Sequence, residues 1–483
     1  MCGNSTDGSS HYVFQVKFLS AIRVAFMHKK NSYVSLNIWL IFTLCLSGCV
    51  SYQASPLPNT TQYRDLTVDR DLLNPFPVLA AHRFNPAQGL DVLDVAMLAV
   101  SNNPELRLAR KDTGVAEAQV YSAGLLPDPQ LSLAHDIHVA AGSQAASSIG
   151  LSYDFIGLLT HSLAKKQAKE SLHQSELNLL WQEWQVVGQA QLLMTRLQMQ
   201  QKTLSVQLQN QAIAKDRVNR MMKAMQTAGV TRDQVNADVV ALQAISSRID
   251  DLKTAQQVAR HDLNALLGLA ADTQLNLKFN DQDMTQEPKV VDPQLIHIAL
   301  DHINTHRPDL LALRAGYASE DAKLRQAIWS QFPSLNIGLT QAKDSSGISS
   351  QSLGISLNLP VFNGNRGNIA VEKATRERMY EEYQSRLNQT VFEVQRLQAE
   401  QQQNVAIWQA RYLRLKQLQH DVEKATPAHK QHLIDDQIWM TLQNNMLNQK
   451  LDLLNLEQTI REQAVGLNTL LGLPVQQSSG VAP

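Results

Sequence analysis

Apolar residues along the chain keep two different periods, and the switch between them occurs twice. From about residue 91 to 126, and again from about 294 to 331, they follow a helical spacing that ends near a proline, which predicts helices. Each stretch leads into two runs that alternate apolar with small or polar residues. In the first half these carry Leu131, Leu133 and Ile137, then Ile149, Leu151, Tyr153 and Phe155. In the second they carry Leu335, Ile337 and Leu339, then Leu353, Ile355, Leu357 and Leu359. A period of two predicts strands with one apolar face. The connections "VAAGSQAAS" and "KDSSGISSQ" have the small, polar, Gly-containing make-up of loop tips.

Beyond the strands the spacing lengthens to steps of seven and four, through Leu172, Leu179, Val186, Leu193, Leu197, Leu204 and Leu208. It predicts one helix from about Thr160 to Gln226, free of proline and with a single glycine, Gly188. Its counterpart from Ile369 to Thr426 contains neither. Breaks at "TAGVTRD" (227–233) and "TPAHKQHLIDD" (426–436) mark hairpin tips. A return helix then runs to Gly268 or Gly472, each placed as a helix C-cap.

A shift of 204 positions lays "LNALLGL" (263–269) on "LNTLLGL" (467–473). It also lays "NNPELRLAR" (102–110) on "HRPDLLALR" (306–314) and "IGLSYDF" (149–155) on "LGISLNL" (353–359). The sequence therefore predicts two copies of one unit, far longer than the roughly 20–50 residues of a solenoid repeat. The expected division is a signal segment over 1–48, a linker and equatorial segment over 49–90, and a first repeat over 91–269. A connector over 270–293, a second repeat over 294–473 and a tail over 474–483 follow.

Length then becomes a physical argument. At 1.5 Å per residue the longer helices reach about 100 Å, more than the diameter of a compact domain, and two short helices stacked end to end can flank each of them. Strands of about 9–11 residues suffice to cross a bilayer when tilted, and a membrane barrel has this alternation. Trp329, Phe332, Tyr153, Phe155 and Phe362 are expected at the helix-proximal strand ends, as an interfacial girdle. One chain supplies four strands, and an open sheet in lipid would leave unpaired N–H and C=O groups at several kcal/mol each. The membrane reading therefore requires several chains, with three giving twelve strands; a soluble two-sheet core is the alternative.

Composition narrows the functional classes. Forty-three Lys and Arg against 44 Asp and Glu leave a net charge of −1, which argues against a nucleic-acid binder. The cysteines are Cys2, Cys45 and Cys49, so the rest of the chain offers no thiol for a disulfide, a metal or a nucleophile. "MHKK" from Met27, an apolar stretch, and "LSGC" ending at Cys49 have the order of a secretory signal. The alternative is a short buried or anchoring helix. Translation is expected to start at Met27, because the preceding 26 residues fit no signal peptide.

"LSGC" resembles the lipobox of bacterial lipoproteins, in which the cysteine is acylated, here Cys49. The duplicated unit, "PVFNGNRG" (360–367), the tip "AGVTRDQVNA" (228–237) and the paired LLGL endings resemble TolC-like outer-membrane efflux proteins, in their lipoprotein branch. The resemblance covers about residues 60–475. It implies a mainly helical fold with membrane β-structure: a trimeric 12-stranded outer-membrane β-barrel continuing into a periplasmic α-helical barrel with an equatorial collar. "TQLNLKF" (273–279) would supply a collar strand. The implied partners are two further copies, a periplasmic adaptor and an inner-membrane pump. Gly229, Val230 and Thr231 fall on the family's adaptor-docking tip, whereas Leu433 stands where the second tip would have its glycine. Asp435 and Asp436 fall near the family's acidic periplasmic aperture. A plain turn and an ordinary helix N-terminus are the local alternatives for these two groups.

Other signals carry less. His302 and His306 share a helix face with no third ligand beside them, and His135 and His138 point to opposite faces of a strand. Met221, Met222 and Met225 read as helix packing rather than soft-metal ligands. Gln-rich runs such as "QAEQQQNVAIWQ" read as faces of long helices, whose uncharged polar side chains suit a water-filled duct. No phosphate loop, HExxH or nucleophile set is present. The expectation is a passive exit duct of an efflux system, without enzyme activity or cofactor. A periplasmic coiled-coil lipoprotein acting as a tether without a pore is the alternative.

Overall fold

The computed structural model describes residues 52–136, 145–227, 229–279, 287–431 and 433–473. The signal segment, Cys49, Ile137, His138 and the tail lie outside them. The body spanning residues 63–473 is built from helices α1 (Pro77–Ala81), α2 (Val92–Asn102) and α3 (Pro104–Ala123), then strands β1 (Gln130–Asp136) and β2 (Ala146–Asp154). Helices α4 (Phe155–Gln226), α5 (Arg232–Leu266), α6 (Pro293–Asp301), α7 (Ile303–His306) and α8 (Pro308–Trp329) follow. Strands β3 (Ser334–Lys343) and β4 (Ser349–Asn358) lead to α9 (Arg366–Lys430) and α10 (Asp436–Leu471).

Two helices dominate. At 72 and 65 residues, α4 and α9 extend about 110 and 100 Å. The first begins at Phe155, five residues before the expected Thr160, because the Asp154 carboxylate accepts the Gly157 N–H at 3.0 Å and caps it. The second runs past its expected end at Thr426, through Pro427, to Lys430. A proline in the last turn removes one backbone bond where few remain to be made.

The helices expected over 91–126 and 294–331 are instead broken, between α2 and α3 and again among α6, α7 and α8. Pro104 and Pro308 cause two of the breaks by pushing the preceding residue out of the helical region. Asn103 sits at ψ 127° and Arg307 at ψ 120°. Both residues then serve as latches. The Asn103 amide donates to the Leu266 carbonyl at 2.9 Å, and the Arg307 guanidinium donates to the Leu470 carbonyl at 3.2 Å. These two contacts lie 204 positions apart at both ends, and each ties the end of a hairpin helix to the start of a pre-strand helix.

Packing orders the helices into columns. α3, α5, α8 and α10 all pack on α4, and α8 and α10 also pack on α9. In α9 the buried positions Val394, Gln401, Trp408, Leu415 and Val422 fall seven apart, as do Glu372 and Met379, with Thr390 between the two runs at steps of eleven and four; this is the spacing of a coiled-coil seam. In α4 the expected seam is only partly buried: Val186 and Leu197 are inside, Leu208 is exposed, and Val206 is buried beside it. A helix packed on several others has more than one buried face, which one stripe cannot describe.

The core lies at mid-height. Leu263 and Leu267 join Leu98, Leu106, Met194 and Leu275 in one cluster, and Leu467 and Leu471 join Val291, Ile296 and Val394 in another. The repeated heptapeptides thus anchor two hairpins. Gly268 and Gly472 take φ of 64° and 66°, and the Leu269 and Leu473 N–H groups each return to the carbonyl five residues back at 2.9 Å. The expected collar strand is reduced to a single parallel bridge between Leu90 and Leu277, although Leu275, Leu277 and Phe279 do pack inward.

Candidate functional site

The four strands form one antiparallel sheet in the order β1-β2-β3-β4. Register places the alternation of each strand in phase. One row runs Leu131, Leu151, Leu339, Leu353; the adjacent row, on the opposite face, runs Ser132, Gly150, Thr340, Ser352. One face is therefore a continuous apolar surface and the other is small and polar. Leu133, Leu339 and Leu353 are 71%, 66% and 67% exposed, so nothing in the described residues covers the apolar face. The outer edges of β1 and β4 have no strand beside them among the described residues. Nor is any described helix long and apolar enough to cross a membrane.

Aromatic residues gather where the sheet meets the helices. Trp329 and Phe332 approach to 5.7 Å between ring centres, and Phe155 and Phe362 are exposed nearby in sequence, at the start of α4 and in the turn before α9. At the far end of the β3–β4 pair, Asp344 closes the turn. Its carboxylate accepts from the Ser346 hydroxyl at 2.7 Å and from the Ser346 and Ile348 N–H groups at 2.9 Å each. The Ser346 hydroxyl and these amides hold its pKa below the usual value.

At the opposite end of the helices are the two tips. In the first, the Gly229 N–H donates to the Ala224 carbonyl at 2.9 Å, and Thr231 caps α5 in a reciprocal pair with Gln234. Gly229 and Thr231 are exposed and Val230 is half-buried. In the second, the Leu433 N–H donates to the Ala428 carbonyl at 2.9 Å, the same bond 204 positions on. Neither Gly229 nor Leu433 has a positive φ, which is why leucine can take the place of glycine there. Leu433 is left 71% exposed.

Asp435 caps α10, accepting from the Gln437 N–H at 3.0 Å. Asp436 points elsewhere. It meets His429 Nε2 at 2.5 Å and Arg220 of α4 at 3.3 Å, and Arg220 also reaches Asp216 at 3.1 Å. The His429 ring stacks on Trp439, with centres 4.4 Å apart. Asp436 thus ties one hairpin to the other, a link that the sequence pattern did not single out.

His302 and His306 stand edge to face at 5.9 Å, and His306 Nδ1 is 3.1 Å from the His302 carbonyl. No acidic or third histidine ligand joins them among the described residues. Met222 and Met225 are exposed rather than packed.

No family model matches the chain, and no curated protein matches it. Solved structures do. The outer-membrane channel OprN aligns over 88% of this chain and 99% of its own, with a TM-score of 0.67 and 15% identity. This chain has the fold of outer-membrane channels. CusC, described in terms of transmembrane channel formation, aligns over 88% of this chain and 99% of its own, with a TM-score of 0.65 and 16% identity. The outer membrane protein VceC of Vibrio cholerae aligns over 82% and 99%, with a TM-score of 0.64 and 17% identity. The channel fold therefore extends over nearly the whole described length, at identities where only backbone architecture is shared.

Proposed function

We propose that the protein is a passive outer-membrane exit duct of the TolC-like kind, built from a duplicated unit. Three chains close a twelve-stranded barrel, lipid-anchored at Cys49 and continued into the periplasm by the long helices. The observation that carries this reading is the sheet, whose in-phase alternation produces one apolar and one polar face while both edges are unpaired among the described residues. In hydrocarbon those edges must be satisfied, and β4 of one chain beside β1 of the next satisfies them without a free rim.

The helices support the same closure. α9 packs mainly on α8 and α10, and α3 and α5 mainly on α4, so among the described residues the outer flanks of α9 and of α3 with α5 have no extensively packed helical neighbour. Exposed Phe392 and Leu413 on α9, and Tyr121 and Val240 on α3 and α5, are apolar side chains suited to contact between chains. Gly229, Val230 and Thr231 would meet a periplasmic adaptor that links the duct to an inner-membrane pump. Asp435 and Asp436 would line the aperture, with the Arg220–Asp436 pair holding the two hairpins together.

Purified protein, reconstituted from detergent into a planar bilayer, is expected to give discrete, cation- and anion-passing conductance steps. A helical tether without a pore would give none, and a flat current at high protein load would refute the duct.

A further inference from the structure

We propose that His82, Asp91 and Asp94 form a binding site for a divalent transition-metal ion, which clamps the segment before α2 onto that helix at mid-height. The inference stands apart from the channel reading, since it concerns how one protomer is held together.

The site is assembled by two rigid pieces. His82 ends α1, whose Leu79 and the preceding Phe76 are buried against Leu93, Met97 and Val187, with the Phe76 ring 5.3 Å from that of Trp184. Asp91 and Asp94 form the capping box of α2. Asp91 Oδ1 accepts from the Leu93 and Asp94 N–H groups at 2.8 Å each, and Asp94 Oδ2 accepts from the Asp91 N–H at 3.1 Å.

That box leaves one atom over. Asp94 is 4% exposed, and its Oδ1 is buried with no hydrogen-bond partner. It faces His82 Nε2 at 3.3 Å, and the same nitrogen is 3.6 Å from Asp91 Oδ1. The His82 contact makes no hydrogen bond, which leaves this buried carboxylate oxygen poorly satisfied, and two carboxylates beside one imidazole leave negative charge in excess. The positive end of α2 offsets part of that charge, but it acts through the N–H groups already bonded to the other acceptor positions.

The spacing matches a metal. Ligands about 2.0–2.1 Å from a tetrahedral ion stand about 3.3–3.4 Å from one another, close to the 3.3 and 3.6 Å from His82 Nε2 to the two carboxylate oxygens. All three ligand atoms lie within 4.8 Å of each other. Imidazole with two carboxylates selects zinc or a neighbouring first-row ion over calcium or magnesium, which prefer oxygen ligands alone. Asp91 and His82 are partly exposed, leaving the fourth position open to water.

Nor does the helix start need the second carboxylate. α6 begins under Asp292, which accepts from the Gln294 N–H at 2.9 Å, and its third residue is Leu295 where α2 has Asp94.

The test uses full-length protein without a polyhistidine tag, stripped with EDTA and dialysed against micromolar zinc. One zinc per chain is expected by atomic emission. His82→Gln and Asp94→Asn should each weaken binding at least tenfold; the second preserves a capping acceptor, so the fold is retained. His302→Gln should leave binding unchanged, which separates this site from adventitious binding at the exposed histidine pair. Cobalt in place of zinc should give the intense visible bands of a tetrahedral site. Failure of the parent protein to retain zinc, or retention unchanged in His82→Gln and Asp94→Asn, would overturn the proposal and leave a plain histidine–carboxylate contact.

Discussion

Leu353 and Ser352 are neighbours on β4, yet the proposed barrel places one in lipid and the other in the lumen. The β3–β4 ladder pairs ten residues on each side, which at about 3.4 Å per residue and a tilt near 45° spans about 24 Å, close to the apolar band of a membrane barrel. Leu353 pairs with Leu339 near the middle of that ladder, so it sits close to the bilayer midplane. Arginine there costs about 2–4 kcal/mol per chain, and three symmetric copies bring the cost to about 6–12 kcal/mol per assembled barrel. Ser352→Arg should cost little, because its side chain meets water. The assay is guanidinium unfolding of both variants in liposomes, read by intrinsic fluorescence. Leu353→Arg should move the midpoint sharply down and Ser352→Arg hardly at all. Equal shifts would mean that the two faces see the same solvent, and the barrel argument would fall.

Other expectations address the helices. Arg307 and Asp309 are 3% and 6% exposed and bonded at 2.7 and 3.0 Å, with the guanidinium also 4.5 Å over the Trp181 ring. Arg307→Ala leaves the buried Asp309 carboxylate with only Arg386, 3.7 Å away, and the Leu310 N–H, so the cost in urea unfolding should lie below the roughly 3–5 kcal/mol of a fully uncompensated buried charge, at about 2–3 kcal/mol; a loss below about 1 kcal/mol would deny the latch its role. Arg220→Ala should enlarge single-channel conductance by breaking the tie between Asp436 and α4 while the His429 contact stays, and unchanged conductance would argue against a hairpin link at the aperture. Burial raises the pKa of Glu183, opposed by Arg110 at 2.7 Å. The folded state then holds this proton more tightly than the unfolded one, so stability falls as pH rises from about 4.3 through the raised value. Glu183→Gln should flatten that part of the pH–stability curve; a curve identical to the parent's would contradict the assignment.

Much of this architecture is legible in the residues because period is a geometric quantity. Leu131 to Leu133 and Leu353 to Ile355 skip one position, so their neighbours must face the other way, and the register confirms the common face. The 204-residue shift is equally visible, since Leu263 and Leu467 each fill a core that excludes other shapes. Contacts between distant helices are not legible in this way. Arg220 and Asp436 are ordinary surface charges in the sequence, and only the packing of α4 beside α10 brings them together. The same holds for His82, which meets Asp91 and Asp94 only when α1 folds back on α2. The breaks at Asn103 and Arg307 had a local signal, a residue before proline, that the strong apolar spacing around it obscured. The docking proposed for Gly229, Val230 and Thr231 would depend on a surface belonging to another molecule, which is why it rests on the family resemblance and not on pattern or fold.

The unpaired rims of β1 and β4 bear on how the protein reaches its destination. A single chain can finish its helices alone, because their backbone bonds are internal, whereas its sheet waits on others. In the proposed ring, entry into the bilayer is then a collective event whose rate climbs steeply with local abundance. Sparse delivery would strand chains at the membrane surface with their helices complete and their strands idle.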